Sequence, residues 1–385
     1  MNIKNCYWAG LLFFATTSCS KTEYLLDQHE SVLIEINPSE ETKPMTLTDY
    51  SVDSVCTLEF PKGIKLCDVS KIIVKNDRIY IMDSKCAHTI FVFAESGKYL
   101  FKLGERGRAK HEYTREPTDF FVDNMNNTHV FDREGQKVIS FTKKGEVFRV
   151  VITGEHFPHS FGLTGNNKYA YCIADKSKEE EQIPALMFSN WNGEDKKNIL
   201  PFTNNYYFHP SNRTFFSNDL RLSHIPILSD SVLVFNNDSL EKVVHFDFGG
   251  RFITNEMPEA VSNMDKISAI TTYSGVLSLN EYQETNDLIY LEYIYNMKIM
   301  RWLHNKRTKK TINTKDLFEG TNPFTNYFLK NNQIIAFINQ DLIDELKEIS
   351  HKEDINNNLL KSAPQVRDLI EGKIKAPALF YITLK

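Results

Sequence analysis

The sequence lacks the motifs that mark several common classes of enzyme and metal-binding protein. It contains 6 cysteines in 385 residues, and no two of them form a CxxC pair, which excludes a zinc site of that type. The G-x-S-x-G and H-E-x-x-H motifs are also absent, which excludes an α/β-hydrolase nucleophile elbow and a zincin-type metalloprotease site. After residue 19, no apolar run approaches the roughly 20 residues that a membrane-spanning helix needs.

The composition is that of an ordinary globular protein rich in strand-forming aromatic residues. Hydrophobic residues make up 41% of the chain and charged residues 25%, which is enough apolar material for a large core. There are 27 Phe and 17 Tyr, whereas helical periodicity is confined to short segments. The formal net charge of −5 argues against nucleic acid as a partner. We therefore expect an all-β protein that does not bind nucleic acid.

The N-terminus has the pattern of a secretory signal peptide. Lys4 precedes an apolar run over residues 6–15, and small residues lead to Cys19; such a run is too short to span a membrane. A cysteine directly after small residues resembles a bacterial lipobox, although Thr16 stands where leucine is usual. We predict a signal peptide over 1–18, lipidation of Cys19 and a polar tether over 19–48. Plain secretion and a retained anchor are the alternatives.

The remaining cysteines leave the disulfide state open. Cys6 lies in the predicted signal, and Cys19 is the predicted lipid site. An exported protein meets an oxidising compartment, so one option is a bridge such as Cys56 to Cys67. Four cysteines allow three pairings, and the sequence cannot choose among them. We favour buried free thiols among the four candidates, Cys56, Cys67, Cys86 and Cys172.

Short apolar runs separated by tight turns recur along the chain. Residues 69–101 contain four such runs, which predict a four-stranded β-meander. The pattern returns from Asp119, where Asp132 takes the position that Asp83 has in the first unit, about 49 residues earlier. That period lies in the range of a propeller blade. Less regular copies follow at 159–200, 221–249, 267–312 and 326–340 with 377–385.

Six such units predict a single six-bladed β-propeller of four-stranded antiparallel blades over residues 49–385. Each sheet has apolar faces that it cannot bury alone, so the blades must stack around an axis and the ring must close. The segment SVCTLEF at 54–60 is predicted to complete the blade that contains the C-terminus. Residues 254–265 and 339–354 are predicted to form short helices on connecting loops.

The segment KLGERGRAKHEYTREPTDFFVD at 102–123 has two glycines three apart among basic residues, which is a pattern typical of phosphate loops. A phosphate loop leads from a strand into a helix, so that the N–H groups at the helix start converge on the anion. Here a strand follows instead. We therefore interpret the segment as a crossover between two blades, in which glycine permits a positive φ.

The same segment carries a resemblance to a known family. Its residues Gly104, Arg106, Gly107, Arg108, Glu112 and Tyr113 resemble the linker of NHL-type propellers. They resemble more closely the linker of the six-bladed β-propeller lipoproteins of Bacteroidetes, which usually has the pattern G-x-x-G-x-G-P-G-E-Y. Ala109-Lys110-His111 replaces the Gly-Pro-Gly of that pattern. The resemblance covers most of the chain from about residue 50, and it implies the fold without implying an activity.

The aromatic segment NNYYFHPSNRTFF at 204–216 is the candidate ligand site. Aromatic faces beside amides and arginine suit the recognition of carbohydrate or peptide. The alternative is that these rings pack between blades. The candidate ligand-binding residues are Tyr206, Tyr207, Phe208, His209 and Arg213.

The functional prediction is a non-catalytic binding or interaction module of the cell envelope, anchored to the outer membrane on its periplasmic side or at the surface. The ligand would be a glycan, peptide or protein, bound at one mouth of the central channel, and no cofactor or metal is predicted. The alternative is an envelope enzyme that cleaves a glycan or an ester. If such an enzyme held calcium on the axis, as lactonase-type propellers do, Asp119, Asn166 and Asn236 would be the candidate ligands.

Overall fold

A computed structural model of the chain describes residues 29–46, 48–64, 66, 69–153, 158–173, 184–194, 196–201, 214–218, 221–253, 272–318, 326–341, 343–344, 364–375 and 377–385. Cys19 and the predicted helix at 254–265 lie outside these residues.

The described strands form six sheets, which are the blades of a propeller. Blade 1 contains β3 (Val69–Lys75), β4 (Arg78–Asp83), β5 (Thr89–Ala94) and β6 (Tyr99–Leu103). Blade 2 contains β7 (Asp119–Val122), β8 (Thr128–Asp132), β9 (Lys137–Phe141) and β10 (Val147–Ile152). Blade 3 contains β11 (Ser160–Leu163), β12 (Tyr169–Cys172), β13 (Pro184–Ser189) and β14 (Lys197–Pro201).

The other three blades follow the same antiparallel order. Blade 4 contains β15 (Phe215–Asn218), β16 (Arg221–His224), β17 (Ser231–Asn236) and β18 (Ser239–Asp247), joined by the N-terminal strand β1 (Glu30–Glu35). Blade 5 contains β19 (Val276–Glu284), β20 (Leu288–Tyr295), β21 (Lys298–Asn305) and β22 (Thr311–Thr314). Blade 6 contains β23 (Asn326–Lys330), β24 (Gln333–Ile338), β25 (Ala378–Leu384) and β2 (Tyr50–Thr57).

The six blades close into a ring, which confirms the predicted fold. The innermost strands β3, β7, β11, β15, β19 and β23 each contact the next one in this order, and β23 contacts β3. The apolar clusters lie between neighbouring blades. Tyr80 of blade 1 packs with Phe120 of blade 2, for example, and Phe337 of blade 6 packs with Phe93 of blade 1. The core is therefore distributed over the interfaces of the ring, not collected at one centre.

Blade 6 is built from both ends of the chain. The strand β2 pairs antiparallel with the C-terminal strand β25, with Tyr50 opposite Leu384 and Thr57 opposite Ala378. The Lys385 amide also donates to the Asp49 carbonyl at 2.9 Å. The pairing confirms the predicted closing strand. The strand β2 begins and ends a few residues before the predicted bounds of 54–60.

The N-terminal segment corrects the predicted tether over part of its length. Within residues 19–48, Glu30–Glu35 forms β1, which pairs parallel with β18 from Glu30 opposite Lys242 to Glu35 opposite Asp247. Val32 and Ile34 pack against the apolar cluster between blades 4 and 5. This alternation of apolar residues stabilises a fifth strand on blade 4 in a stretch that was expected to be unstructured.

The antiparallel order of the blades gives the ring two different faces. The turns between the first and second strands and between the third and fourth strands lie on one face, which we call the hairpin face. The connections between the second and third strands and the crossovers between blades lie on the opposite face, which we call the linker face. On the linker face, Asp83 and Asp132 are both fully buried. Asp83 accepts the N–H of Cys86, and Asp132 accepts the N–H of Gly135, each in the turn that follows.

Asparagine supplies much of the backbone freedom that the tight turns need. A positive φ is unfavourable for most side chains, but asparagine tolerates it. Six of the described asparagines adopt it in the turns that join consecutive strands, and this helps to account for a chain of many turns with only 16 glycines. They are Asn76, Asn126, Asn167, Asn237, Asn296 and Asn331.

In the part of the chain that the structure describes, helix is confined to short pieces. Of the predicted helix at 339–354, residues 340–341 and 343–344 are described and are helical. A second helix, α1 (Pro364–Ile370), was not predicted. It begins at a proline, a residue that suits the first helical position. Ile343 and Leu369 are both buried in the cluster between blades 5 and 6.

The described cysteines agree only in part with the prediction of free thiols. Cys56 and Cys172 are free, so a Cys56–Cys67 bridge does not form. Cys86 is disulfide-bonded, with its partner outside the described residues. Burial raises the pKa of the Cys172 thiol to about 12, which keeps it protonated. The expectation of free thiols therefore holds for two of the cysteines and is wrong for Cys86.

None of the helices in the described residues has the length and the apolar character needed to cross a membrane.

The closing blade generates a stability prediction. Phe380 in β25 is fully buried against blade 5 and blade 6 residues. We expect Phe380→Ala to lower the free energy of unfolding by about 3–5 kcal/mol, because it leaves a cavity at the seam of the ring. The matched control is Phe148→Ala in β10, where 41% of the side chain is exposed and a loss under about 1 kcal/mol is expected. Denaturant unfolding measures both. Equal losses would contradict the role of the seam.

Candidate functional site

A cavity of about 320 Å³ occupies the central channel of the ring. It is bounded by the inner strands β3, β7, β15, β19 and β23 and reaches the turn residues Asn76 and Asn331 on the hairpin face. Its volume lies at the lower end of the range typical of small-ligand pockets. The channel is therefore the candidate functional site, and it opens on the face that carries the hairpin turns.

The channel wall consists largely of exposed strand edges. Each inner strand is the edge strand of its sheet, so one side of its backbone bonds to the second strand and the other side faces the channel. Backbone N–H and C=O groups need partners, and the neighbouring inner strands diverge too far to pair directly. Some of these backbone groups are hydrogen-bonded by side chains that reach from one inner strand to the next.

Gln283 shows this bridging most completely. Its Nε2 donates to the Tyr327 carbonyl at 3.0 Å, and its Oε1 accepts the Leu329 N–H at 2.7 Å, so one amide satisfies two backbone groups of β23. Asn326 in turn donates to the Val69 carbonyl of β3 at 2.9 Å. Blades 5, 6 and 1 are thereby joined along the channel by side-chain amides.

Two lysines join blade 1 to blade 2 in the same way. The Lys71 ammonium lies 2.7 Å from Asp119 Oδ1 and 3.7 Å from the centre of the Phe121 ring, an arrangement that combines an ion pair with a cation–π contact. The Lys75 ammonium donates to the Val122 carbonyl at 3.1 Å. Lys71 and Lys75 both line the cavity. Their aliphatic chains therefore form part of the cavity wall, and their ammonium groups bind to blade 2.

The cavity combines aromatic rings with hydrogen-bonding groups of both kinds. Phe216 and Phe328 are half-buried at its wall. Glu281 supplies an acceptor and Lys330 supplies a donor. Within the described residues that line the cavity, Glu281 is the one carboxylate. The described wall thus offers no pair of facing acids of the kind that glycosidases use.

The aromatic segment predicted to bind ligand falls outside the described residues. Tyr206, Tyr207, Phe208, His209 and Arg213 all belong to this group, so their placement stays a prediction. The two aromatic residues that end the segment are described and do different things. Phe215 is fully buried and stacks on His224 at 4.5 Å, whereas Phe216 is half-buried. Both residues line the channel cavity.

The three candidate calcium ligands do not come together. Asp119 is fully buried at the start of β7, where it pairs with Lys71. Asn166 lies in the turn after β11 and donates to Asp238 at 3.0 Å, and Asn236 is exposed at the end of β17. The last two lie on the hairpin face, away from Asp119. In the described part of the chain, no group of three or more His, Cys, Asp or Glu side chains is placed to hold a metal ion.

The loop at 102–123 is a crossover between blades, as interpreted from the sequence. It leads from β6 on the outside of blade 1 to β7 at the centre of blade 2. Gly104 has a φ of 66°, and a Cβ there would lie 2.7 Å from the Tyr113 ring. The Tyr113 hydroxyl is buried and donates to the Leu103 carbonyl at 2.8 Å. Gly104 therefore meets both a conformational and a steric requirement.

The second glycine serves a different purpose. A Cβ on Gly107 would lie 1.8 Å from Glu112 Oε2, and that oxygen accepts the Ala109 N–H at 2.8 Å. Gly107 does not have a positive φ, so the prediction of a positive φ holds for Gly104 only. The loop does hold a carboxylate, but this carboxylate belongs to its own Glu112. Arg106 and Arg108 point to solvent on the linker face.

A closed ring of six four-stranded blades around a lined channel defines the class of six-bladed β-propellers. The chain belongs to the DUF4934 family, described as a domain of unknown function, whose sequence profile matches residues 63–368. No curated protein matches the chain.

Solved structures support the same fold. A Bacteroides fragilis protein described as exported superposes with a TM-score of 0.75 at 14% identity, over 92% of this chain and 99% of that one. A DUF4221 family member from Bacteroides vulgatus has a TM-score of 0.47 at 12% identity, over 88% and 98%. Virginiamycin B lyase from Staphylococcus aureus has a TM-score of 0.39 at 11% identity, over 69% and 75%. The last two likenesses are too distant to bear on this chain. The family match and the first structure confirm the resemblance to six-bladed propellers of Bacteroidetes.

The cavity residues were not identified as site residues from the sequence. Glu281, Gln283 and Phe328 lie in segments whose pattern predicts ordinary strands. A usable signal was present, because the first strand of every meander must line the axis of a propeller. Polar residues in those first strands are therefore candidates for the channel wall.

The linker loop generates a prediction with an internal control. Gly104 and Gly249 have almost the same φ, 66° and 65°, but an added Cβ at Gly249 would have no atom within 4 Å. We expect Gly249→Ala to lower the free energy of unfolding by about 1–2 kcal/mol through the left-handed backbone alone. Gly104→Ala should cost a further 1–3 kcal/mol or so, because the Tyr113 ring must move. Thermal or denaturant unfolding measures the free energy of unfolding of both variants. An equal loss in the two would show that the Tyr113 ring does not restrict position 104.

Proposed function

We propose that this protein is a non-catalytic binding module of the cell envelope, lipid-anchored through Cys19, and that its ligand is a glycan or peptide held in the central channel. The observation that carries the proposal is the channel cavity. It places half-buried aromatic rings beside amide, carboxylate and ammonium groups, all fixed by the closed ring.

The chemistry of the wall favours a neutral or mixed-charge polar ligand. Phe216 and Phe328 offer faces on which a sugar ring or a peptide side chain can lie. Around them, the strand edges present both donors and acceptors, and Glu281 adds a carboxylate, as hydroxyl-rich and amide-rich ligands require. The Lys71 ammonium is paired with Asp119, and the Lys75 ammonium donates to the Val122 carbonyl. The third cavity lysine, Lys330, lies 3.6 Å from Glu95 Oε1. This engagement argues against a polyanion as the preferred ligand.

A filling substitution tests this site. Ser217 is exposed and lines the cavity, so Ser217→Trp should occupy much of the channel without removing a core residue. The protein without residues 1–19 is screened on glycan and peptide arrays, and affinities for the ligands found are measured by calorimetry. We expect Ser217→Trp to weaken binding by at least about tenfold, or 1.4 kcal/mol, with an unchanged melting temperature.

Ser96→Trp is the matched control, because Ser96 is equally exposed but lies in the turn between β5 and β6, outside the cavity. Its affinity should equal that of the natural protein. Retained binding in Ser217→Trp would place the ligand elsewhere, and the absence of any glycan or peptide ligand would contradict the proposal. Recovery of cleaved ligand after incubation would contradict the non-catalytic assignment.

The lipid anchor is tested separately by metabolic labelling with a palmitate analogue in a bacterial host. The natural chain should carry the label, and Cys19→Ala should lose it, because the thiol is the acceptor for the lipid. Cys6→Ala is the matched control and should keep the label, since Cys6 lies in the predicted signal. An unlabelled natural chain would support plain secretion, and a labelled Cys19→Ala would exclude Cys19 as the acceptor.

A further inference from the structure

The direction of β1 shows where the N-terminal segment approaches the ring. β18 begins just after the turn at 237–238 on the hairpin face and runs toward the linker face. β1 is parallel to it, with Glu30 opposite Lys242 and Glu35 opposite Asp247. The chain before Glu30 therefore comes from the hairpin side, on the outer rim of blade 4.

An ion-pair network connects this position to a basic turn on blade 5. Lys242, the partner of Glu30 in the sheet, lies 2.8 Å from Glu284 Oε1, and Lys306 lies 2.6 Å from the same oxygen. Burial alone would raise the pKa of the Glu284 carboxyl. The hydrogen bonds from Lys242, Lys306 and Tyr282 outweigh this effect and lower the pKa, so that the carboxylate stays charged.

Lys306 begins a turn, residues 306–310, with the sequence Lys-Arg-Thr-Lys-Lys between β21 and β22 on the hairpin face. We call it the basic turn. Lys306 is paired with Glu284, and Lys310 with Asp49. Arg307 and Lys309 are exposed and make no ion pair with a described residue. The Asn305 side chain accepts the N–H groups of residues 307 and 308, which fixes the turn.

We infer that the basic turn of blade 5 rests on an anionic phospholipid surface, beside the point where the lipid-anchored N-terminus reaches blade 4. The orientation of the ring on the membrane rests on the proposed lipidation of Cys19. The attraction of the basic turn to anionic lipid, which we call the charge part, does not depend on it. Ten peptide steps separate Cys19 from His29, and they span at most about 36 Å, so the anchor keeps the adjacent rim near the bilayer.

The combination has a physical rationale. A lipid anchor and a cluster of cations reinforce one another at a membrane, because the anchor supplies hydrophobic affinity and the cations are attracted by headgroup phosphates. Both features lie on the outer rim, not on the axis. The ring would therefore stand tilted on the membrane, with the channel mouth clear of lipid.

Vesicle binding of the chain from Ser20 to Lys385 tests the charge part, since that chain contains every described residue and the complete ring. The test variant is Arg307→Gln combined with Lys309→Asn. Asparagine suits position 309, where φ is 61°. Partition is measured by sedimentation with vesicles containing about one quarter phosphatidylglycerol, at low salt. Two lost charges should weaken binding about 25-fold, at about fivefold each.

The matched control removes two exposed charges from the linker face, through Arg108→Gln combined with Lys110→Gln. We expect it to change the partition by less than about twofold, because that face points away from the lipid. Equal losses in the two double variants would show that only net charge matters. A natural chain that binds anionic vesicles no better than neutral ones would also overturn the inference.

Hydrogen exchange tests the orientation with the lipidated protein in the same vesicles. The amides of the basic turn should exchange more slowly than in the protein without lipid, and the loop at 104–116 should be unchanged. The reverse pattern would overturn the inference. If the chain is not labelled with palmitate, the proposed lipid anchor is contradicted, but the vesicle experiment still tests the role of the basic turn. If the protein is labelled but the chain from Ser20 to Lys385 does not bind the anionic vesicles, the inference about the basic turn is contradicted and the lipid anchor is retained.

Discussion

The pairing of β2 with β25 is the constraint on which the rest of the structure depends. Each blade has two apolar faces, and a four-stranded sheet can cover them only with the blades on either side. An open row of blades would leave one face exposed at each end. Joining β2, from the N-terminal part of the chain, to the C-terminal strand β25 within blade 6 removes both ends, so every interface between blades is covered.

Closure also creates the channel and determines its chemistry. Six inner strands that diverge around an axis do not pair with each other. The free edges of five of them, β3, β7, β15, β19 and β23, form the wall of the cavity. Gln283, Asn326 and Lys75 reach across to the next strand and satisfy some of those edges. The crossover loop between blades 1 and 2 is locked in a comparable way, because Glu112 fills the space that Gly107 leaves open. Local polar contacts thus fix the geometry, and apolar contacts between blades supply most of the stability.

The sequence predicted those parts of the structure that depend on local pattern and repetition. The meander of blade 1, the equivalence of Asp83 and Asp132 and the closing strand all follow from alternation, turn residues and spacing. β1 was missed because Val32 and Ile34 alternate over only a few residues within a polar stretch, and its partner strand lies more than 200 residues away. The channel residues were missed for a related reason. Whether Gln283 faces solvent, a neighbouring blade or the axis is decided by the ring, not by its neighbours in sequence.

Native-state hydrogen exchange of β2 and β25 tests the central claim most directly. If closure holds the ring together, the amides of these strands should exchange only through global unfolding, at the same slow rate as those of the buried strands β4 and β12. If β2 and β25 instead exchange through a local opening while the other blades stay protected, the ring does not depend on its seam, and this account of the fold is wrong.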